Sequence, residues 1–150
     1  MTIDRQKSGC RTDIDDILGL LEATLKLIAS CAFALETPLK WELEQLGYQP
    51  HVIQPGQVQF EGDWLDICRT NVWLRIADRV QIQVAEFAAP DFDALFDSIR
   101  EMDWSEWLPR DARFPVHARS RQSQLTSVPA IQRSTKRAIV ESLYRHHQTE

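Results

Sequence analysis

The sequence predicts an α+β protein made of two small units. Three observations indicate this: strand-like and helix-like segments are mixed along the chain, a Pro-Gly pair separates two short strand-like segments, and the strand–helix pattern restarts near Arg79. The chain has 150 residues, of which 43% are hydrophobic and 26% charged. This composition is ordinary for a globular protein, and the length suffices for one good core or two small ones.

The first predicted unit spans residues 24–77 and opens with a buried strand at Leu25–Ser30. A helix is expected over residues 36–46, because three leucines share one of its faces: Leu39, Leu43 and Leu46. Gly47 follows where a C-capping glycine belongs.

A β-hairpin and a second helix complete this unit. Residues 51–53 and 58–61 flank the Pro-Gly turn, so they predict the two strands of the hairpin. Asp63 is a suitable N-cap for a short helix that ends near Asn71.

The second predicted unit spans residues 78–150. Its expected elements are a strand at 80–87, a helix at 92–102, a strand at 114–118 and a long helix at 127–147. Asp91 is predicted to cap the first of these helices and Ser127 the second, where Pro129 in the first turn costs no hydrogen bond. Residues 1–23 are interpreted as an extension with a short amphipathic pattern at 13–23.

Charge is distributed unevenly along the chain. The net charge is −5, but residues 109–150 hold eight basic and three acidic groups, a net charge of +5. The other 108 residues hold nine basic and nineteen acidic groups, a net charge of −10. Such asymmetry is typical of a chain with an anionic partner at one end.

The basic carboxyl-terminal segment is the candidate RNA-binding site. Its arginines leave a strand, cross a polar loop and resume on the long helix, whose N-terminus offers N–H donors to a phosphate. The candidate contacts are Arg119, Arg121, Gln124, Ser127, Gln132, Arg133, Lys136 and Arg137. The competing interpretation of the same pattern is a solvated helix face beside a polar loop.

Other classes of site have little support in the sequence. Three widely spaced cysteines indicate reduced thiols in a cytoplasmic protein, and the histidines are not placed as a metal site requires. No apolar run is long enough for a membrane span, and we find neither a glycine-rich cofactor loop nor an acid–base pair. The tryptophans are interpreted as core residues: Trp41, Trp64, Trp73, Trp104 and Trp107.

Nine blocks of the sequence between residues 24 and 144 form a recognisable series: 25–36, 39–43, 46–48, 58–62, 67–75, 77–80, 114–116, 127–133 and 136–140. Val58-Gln-Phe-Glu-Gly62 and Ser127-Val-Pro-Ala-Ile-Gln-Arg133 are examples. Taken together and in order, these blocks resemble a bacterial family of THUMP-containing RNA methyltransferases.

The resemblance implies a small ferredoxin-like domain followed by a THUMP domain, both serving RNA binding. Family members then carry a Rossmann-like domain that uses S-adenosylmethionine, typically to methylate the exocyclic amine (N2) of guanine in 23S ribosomal RNA. The catalytic tetrapeptide Asn/Asp-Pro-Pro-Tyr/Phe of that domain does not occur in this sequence. We therefore expect no catalytic residues, cofactor site or metal site in this chain, and a THUMP domain without its closing strands.

Two functions are compatible with these expectations. The chain is an RNA-binding amino-terminal module that positions structured, ribosomal RNA for a methyltransferase domain, with neither DNA nor a membrane as partner. Alternatively, it is a structural or protein-interaction fragment without RNA affinity, because its overall acidity opposes binding. Salt-dependent RNA binding separates the two.

Overall fold

The computed structural model describes residues 24–109 and 112–147 and divides the chain into two compact units between Ala85 and Glu86. The sequence placed this division between Ala77 and Asp78. The helical pattern at 13–23 lies outside the described residues.

The first unit is a four-stranded antiparallel sheet with two helices. Its elements are β1 (Leu25–Ser30), α1 (Glu36–Gln45), β2 (His51–Gln54), β3 (Gln57–Gly62), α2 (Trp64–Trp73) and β4 (Arg79–Ile82). The strand order is β2-β3-β1-β4, so β1 and β3 are central and the order of elements is βαββαβ. This arrangement explains the position of the division, because β4 hydrogen-bonds to β1 and thereby belongs to the first unit.

Apolar side chains from alternate positions of the strands form the core of this unit. Leu27 of β1 lies opposite Phe60 of β3, and both are fully buried. Leu39 and Leu43 of α1 pack into the same cluster, and Ile67 of α2 lies against it. Both helices therefore cover one face of the sheet, as the period-two and helical patterns require.

The turn and cap residues predicted in the first unit are confirmed. Gly47 has φ +94°, and Tyr48 N–H donates to the Leu43 carbonyl as in a Schellman C-cap. Gly56 in the hairpin turn has φ +79°, and a Cβ there would lie 3.0 Å from the Cys31 carbonyl oxygen. Asp63 caps α2 by accepting a hydrogen bond from Asp66 N–H at 2.8 Å.

The second unit contains α3 (Phe92–Glu101) and the long helix α4 (Val128–His147), joined by an irregular segment. Asp91 caps α3 through a 2.8 Å hydrogen bond from Ala94 N–H. The core between the two helices consists of Ile99, Ala138, Ile139 and Leu143, with Trp104 and Phe114 packed against it.

Two predicted strands and two predicted core residues differ from the structure. The strand expected at 80–87 ends at Ile82. Residues 114–118, called the extended segment below because their side chains are alternately half-buried and exposed, pair with no neighbouring strand within the described residues. Trp41 and Trp73 are 61% and 62% exposed, so they are not core residues.

No helix within the described part of the chain is long and apolar enough to cross a membrane.

Candidate nucleic-acid interface

The exposed face of α4 is almost entirely cationic. From 128 to 145, its exposed residues are Pro129, Arg133, Lys136, Arg137, Tyr144 and Arg145. The one acidic residue of this stretch, Glu141, is half-buried and forms a 2.8 Å ion pair with Arg137. The helix therefore presents positive charge along several turns.

The extended segment before the polar loop runs antiparallel to α4. Lys136 Nζ lies 6.0 Å from the centroid of the Phe114 ring, and Gln132 Nε2 donates to the Val116 carbonyl at 3.0 Å. Phe114 therefore lies beside Lys136, whereas Val116, two residues later in the chain, lies beside the earlier helix residue Gln132. This direction leads Arg119 and Arg121, both exposed, toward the N-terminal end of α4.

The polar loop, residues 120–127, contains two internal hydrogen bonds. Ser120 Oγ donates to the Leu125 carbonyl at 2.5 Å, and Leu125 N–H donates to Ser123 Oγ at 3.1 Å. Leu125 is buried, with 8% of its surface exposed. Gln122 has φ +49°, in the left-handed region that residues other than glycine adopt mainly in tight turns. The loop is thus anchored by one buried side chain and two hydroxyls.

An open depression of about 530 Å³ lies between this loop and the start of α4. Its lining is polar except for one valine: Ser120, Gln122, Ser123, Gln124, Thr126 and Val128. Ser127 accepts the first helical hydrogen bond through its carbonyl oxygen, from Ile131 N–H at 3.0 Å. The N–H groups of the first turn of α4 and the helix dipole make this end suitable for an anion.

Arg137 is the most constrained of the candidate cations. Besides its ion pair with Glu141, its guanidinium lies 5.5 Å from the centroid of the Phe96 ring, as does that of Arg100. Its side chain is still 74% exposed. A phosphate at Arg137 would compete with Glu141, whereas Arg133 has no such partner among the described residues.

The predicted contacts thus fall into three groups. Arg119, Arg121, Gln124, Ser127, Arg133 and Lys136 are exposed, and Arg137 is exposed but paired. Gln132 is half-buried, and its amide N–H binds the backbone of the extended segment, so it does not belong to the exposed row assigned to it from the sequence.

The sequence analysis missed Tyr144, which is 67% exposed on the same helix. Its spacing of 11 residues from Arg133 is three helical turns, and this spacing could have identified it.

Among residues 24–85, the described part of the first unit, the cysteine Cys31 is not a reactive site. Burial raises the pKa of the Cys31 thiol, and the negative charges of Glu36 and Asp78 raise it further. A thiol in this environment stays protonated, which suits packing and not nucleophilic attack. No group of three or more histidine, cysteine, aspartate or glutamate residues in the described ranges is arranged to hold a metal ion.

Comparison with known proteins identifies both units. The RlmL ferredoxin-like domain family matches residues 26–81, and the THUMP domain family matches residues 89–148.

Related proteins are methyltransferases or methylases by name. "Putative RNA methyltransferase YpsC" of Bacillus subtilis is 46% identical over 117 residues, which are 78% of this chain and 30% of that protein. The crystal structure of "a predicted N6-adenine-specific DNA methylase" from Listeria monocytogenes matches 89% of this chain and 35% of its own, with 40% identity and a TM-score of 0.82. The crystal structure of "SMU.472, a putative methyltransferase complexed with SAH" matches 85% of this chain and 34% of its own, with 38% identity and a TM-score of 0.77.

The chain spans about a third of the length of these relatives. The two domain matches lie in the order that the sequence predicted, and they fall on the two units of the structure. Residues 26–81 therefore belong to the RlmL ferredoxin-like domain family and residues 89–148 to the THUMP domain family, and together they resemble the corresponding region of the methyltransferases named above.

Proposed function

We propose that this chain is the RNA-binding module of an S-adenosylmethionine-dependent RNA methyltransferase acting in the cytoplasm. The module holds structured ribosomal RNA so that a guanine N2 of 23S RNA reaches a methyltransferase domain outside this chain. The proposed contacts are Arg119, Arg121, Gln124, Ser127, Arg133, Lys136 and Arg137.

The observation that carries the proposal is the charge of the exposed face of α4. Four of the six exposed residues between 128 and 145 are cationic, on a helix of a protein whose net charge is −5. Phosphate contacts supply most of the affinity for nucleic acid, and exposed arginine and lysine side chains supply most of those contacts. The polar loop and the start of α4 add N–H and amide donors next to this face.

RNA is favoured over DNA because a THUMP domain covers residues 89–148. The names of the relatives include both nucleic acids, since one is called an RNA methyltransferase and another a DNA methylase. The relative in complex with SAH, the demethylated form of S-adenosylmethionine, supports the choice of cofactor for the proposed parent protein.

The direct test is to change Arg133 and Lys136 together to alanine. Both are exposed helix positions, where alanine is the best helix former, so we expect the fold to be retained. Binding to a ribosomal RNA hairpin should weaken, and the slope of log affinity against log salt should flatten by about 1.4, since each phosphate contact contributes roughly 0.7. Fluorescence anisotropy at several salt concentrations measures both quantities, and the DNA of the same sequence should bind more weakly.

Lys40→Ala on α1 is the matched control, because it removes a half-buried helical lysine, paired with Glu44 at 3.6 Å, from the other unit. Glu141→Gln is a second variant for the same experiment, because it frees Arg137 from its ion pair. It should raise the affinity for the RNA hairpin and steepen the slope of log affinity against log salt by about 0.7. The proposal is wrong if the double variant and the Lys40 variant lose the same small amount of affinity across all salt concentrations.

A protein-contact function is the second candidate, favoured by α2. Leu65 and Val72 on this helix are 61% and 79% exposed, and Trp73 beside them is 62% exposed. Exposed apolar clusters are common at protein interfaces. Absence of any salt-dependent RNA binding would favour this candidate.

A further inference from the structure

Tyr144 lies on the same line of α4 as two of the arginines. It follows Arg133 by 11 residues and Arg137 by seven, which are close to three and two full turns of an α-helix. At a rise of 1.5 Å per residue, the three residues span about 16 Å along the helix axis. Val140, half-buried, is the residue between Arg137 and Tyr144 on this line.

The ring of Tyr144 is available to a ligand. The side chain is 67% exposed, and among the described residues it takes part in no hydrogen bond, ring contact or cation–π contact. This distinguishes it from Tyr48, whose hydroxyl binds Asp66 and whose ring contacts Phe60. Tyr144 therefore does not contribute to the core formed by Ile139 and Leu143 on the opposite face.

Its surroundings differ from those of the exposed tryptophan on α1. Trp41 has a similar exposure of 61%, but none of the residues three and four positions before and after it is basic; they are Thr37, Pro38, Glu44 and Gln45. An exposed aromatic ring beside arginines can stack on a nucleobase while the arginines hold the adjoining phosphates.

We propose that Tyr144 stacks on an unpaired base of the bound RNA, with Arg133 and Arg137 on the phosphates beside it. This inference rests on the proposed RNA-binding function and narrows its ligand. A base can stack on a protein side chain only when it has left its own helix, so α4 recognises an unpaired nucleotide within structured RNA. A fully paired duplex offers phosphates to the arginines but no base to Tyr144.

The test uses two RNAs, a hairpin with 2-aminopurine at an unpaired loop position and a fully paired duplex of the same length. Tyr144→Ala should weaken binding to the hairpin about five- to tenfold, the lower part of the range for loss of one stacked base. It should leave duplex binding unchanged. Tyr144→Phe keeps the ring and should bind both RNAs as the parent chain does.

Stacking also has its own spectroscopic signature. The fluorescence of the unpaired 2-aminopurine should be quenched when the parent chain or Tyr144→Phe binds, and much less when Tyr144→Ala binds at saturation. Trp41→Ala is the matched control for the removal of an exposed aromatic ring, and it should behave as the parent chain does.

Two negative results are distinguishable. If Tyr144→Ala binds the hairpin as the parent chain does while Arg133→Ala with Lys136→Ala flattens the salt slope, the stacking inference is overturned and the RNA-binding function stands. If the parent chain binds neither RNA with salt dependence, the proposed function fails and the inference fails with it.

Discussion

Tyr48 connects two elements of the first unit through a single side chain. Its hydroxyl donates to Asp66 Oδ1 at 2.5 Å, and its ring packs 5.0 Å from that of Phe60. The pKa of Tyr48 is raised from 10 to about 12, chiefly by burial and also by the hydrogen bond to Asp66 and the negative charge of that residue. Arg69, 5.8 Å from the ring, acts in the opposite direction.

This shift predicts a pH dependence of stability. Because the pKa of Tyr48 is higher in the folded state than in the unfolded state, the folded state holds the hydroxyl proton more tightly. The contribution of Tyr48 to the free energy of unfolding is therefore complete below pH 10 and is lost as pH rises through about 12. The free energy of unfolding in urea should therefore fall between these values in the parent chain. Tyr48→Phe keeps the ring contact and lacks the titrating group, so its decline should be smaller; identical curves for the two proteins would contradict the prediction.

The candidate site shows how far residue types alone can predict contacts. The exposed arginines and Lys136 were predictable, because a charged side chain on the polar side of an amphipathic helix stays in water. Gln132 was not, because glutamine is suited equally to water and to a buried backbone carbonyl, and only the position of Val116 decides between them. The pairing of Arg137 with Glu141 was visible as an i, i+4 spacing.

At the level of elements, the turn that joins α2 to β4 depends on α1. Glu42 Oε2 accepts hydrogen bonds from the backbone N–H groups of Arg75 and Ile76, at 3.1 and 3.2 Å. One carboxylate thus satisfies two donors that no helix or strand satisfies. It also fixes where the chain enters β4.

Glu42→Ala should therefore destabilise the first unit by about 1–3 kcal/mol, mainly the cost of leaving the half-buried Ile76 N–H without an acceptor, because water can reach the N–H of the exposed Arg75. Helix propensity cannot explain a loss, since alanine favours α1. Urea unfolding measures the change.

Glu44→Ala is the control in the same helix. It removes only the exposed pair with Lys40 and should cost about 0.5 kcal/mol or less. Equal losses in the two variants would show that the contacts of Glu42 contribute nothing particular to stability.

Elements with local signals were predicted well, whereas the strands expected at 80–87 and 114–118 were not, because their extent depends on a pairing partner. Gly47, Gly56 and Asp63 determine their turns and caps through their own chemistry. The extended segment 114–118 has the alternating pattern of a strand, but a strand also needs a neighbour to hydrogen-bond with, and the described residues provide none.

For the whole molecule, the division between Ala85 and Glu86 predicts two independent folding units. Phe60→Ala should destabilise the first unit by about 3–5 kcal/mol, since this ring is fully buried in its core. Hydrogen exchange should then accelerate in β1 and β3 while the amides of α4 keep their protection.

Ile139→Ala is the reciprocal variant, because Ile139 belongs to the core of the second unit and is 5% exposed. It should accelerate exchange in α3 and α4 at a cost of about 2–5 kcal/mol, and leave β3 unchanged. Equal acceleration in both units by either variant would mean that the chain unfolds as one cooperative body.

The α+β class, the four described helices, the hairpin and the segment in which positive charge accumulates follow from periodicity, turn residues and charge, which are local properties of the sequence. Packing between segments settles three further points: β4 joins the first sheet, Gln132 turns inward, and the side chain of Tyr144 remains exposed. Each of these depends on which distant residue occupies the neighbouring space. Strand pairing and burial are relations between segments, and a local pattern does not contain them.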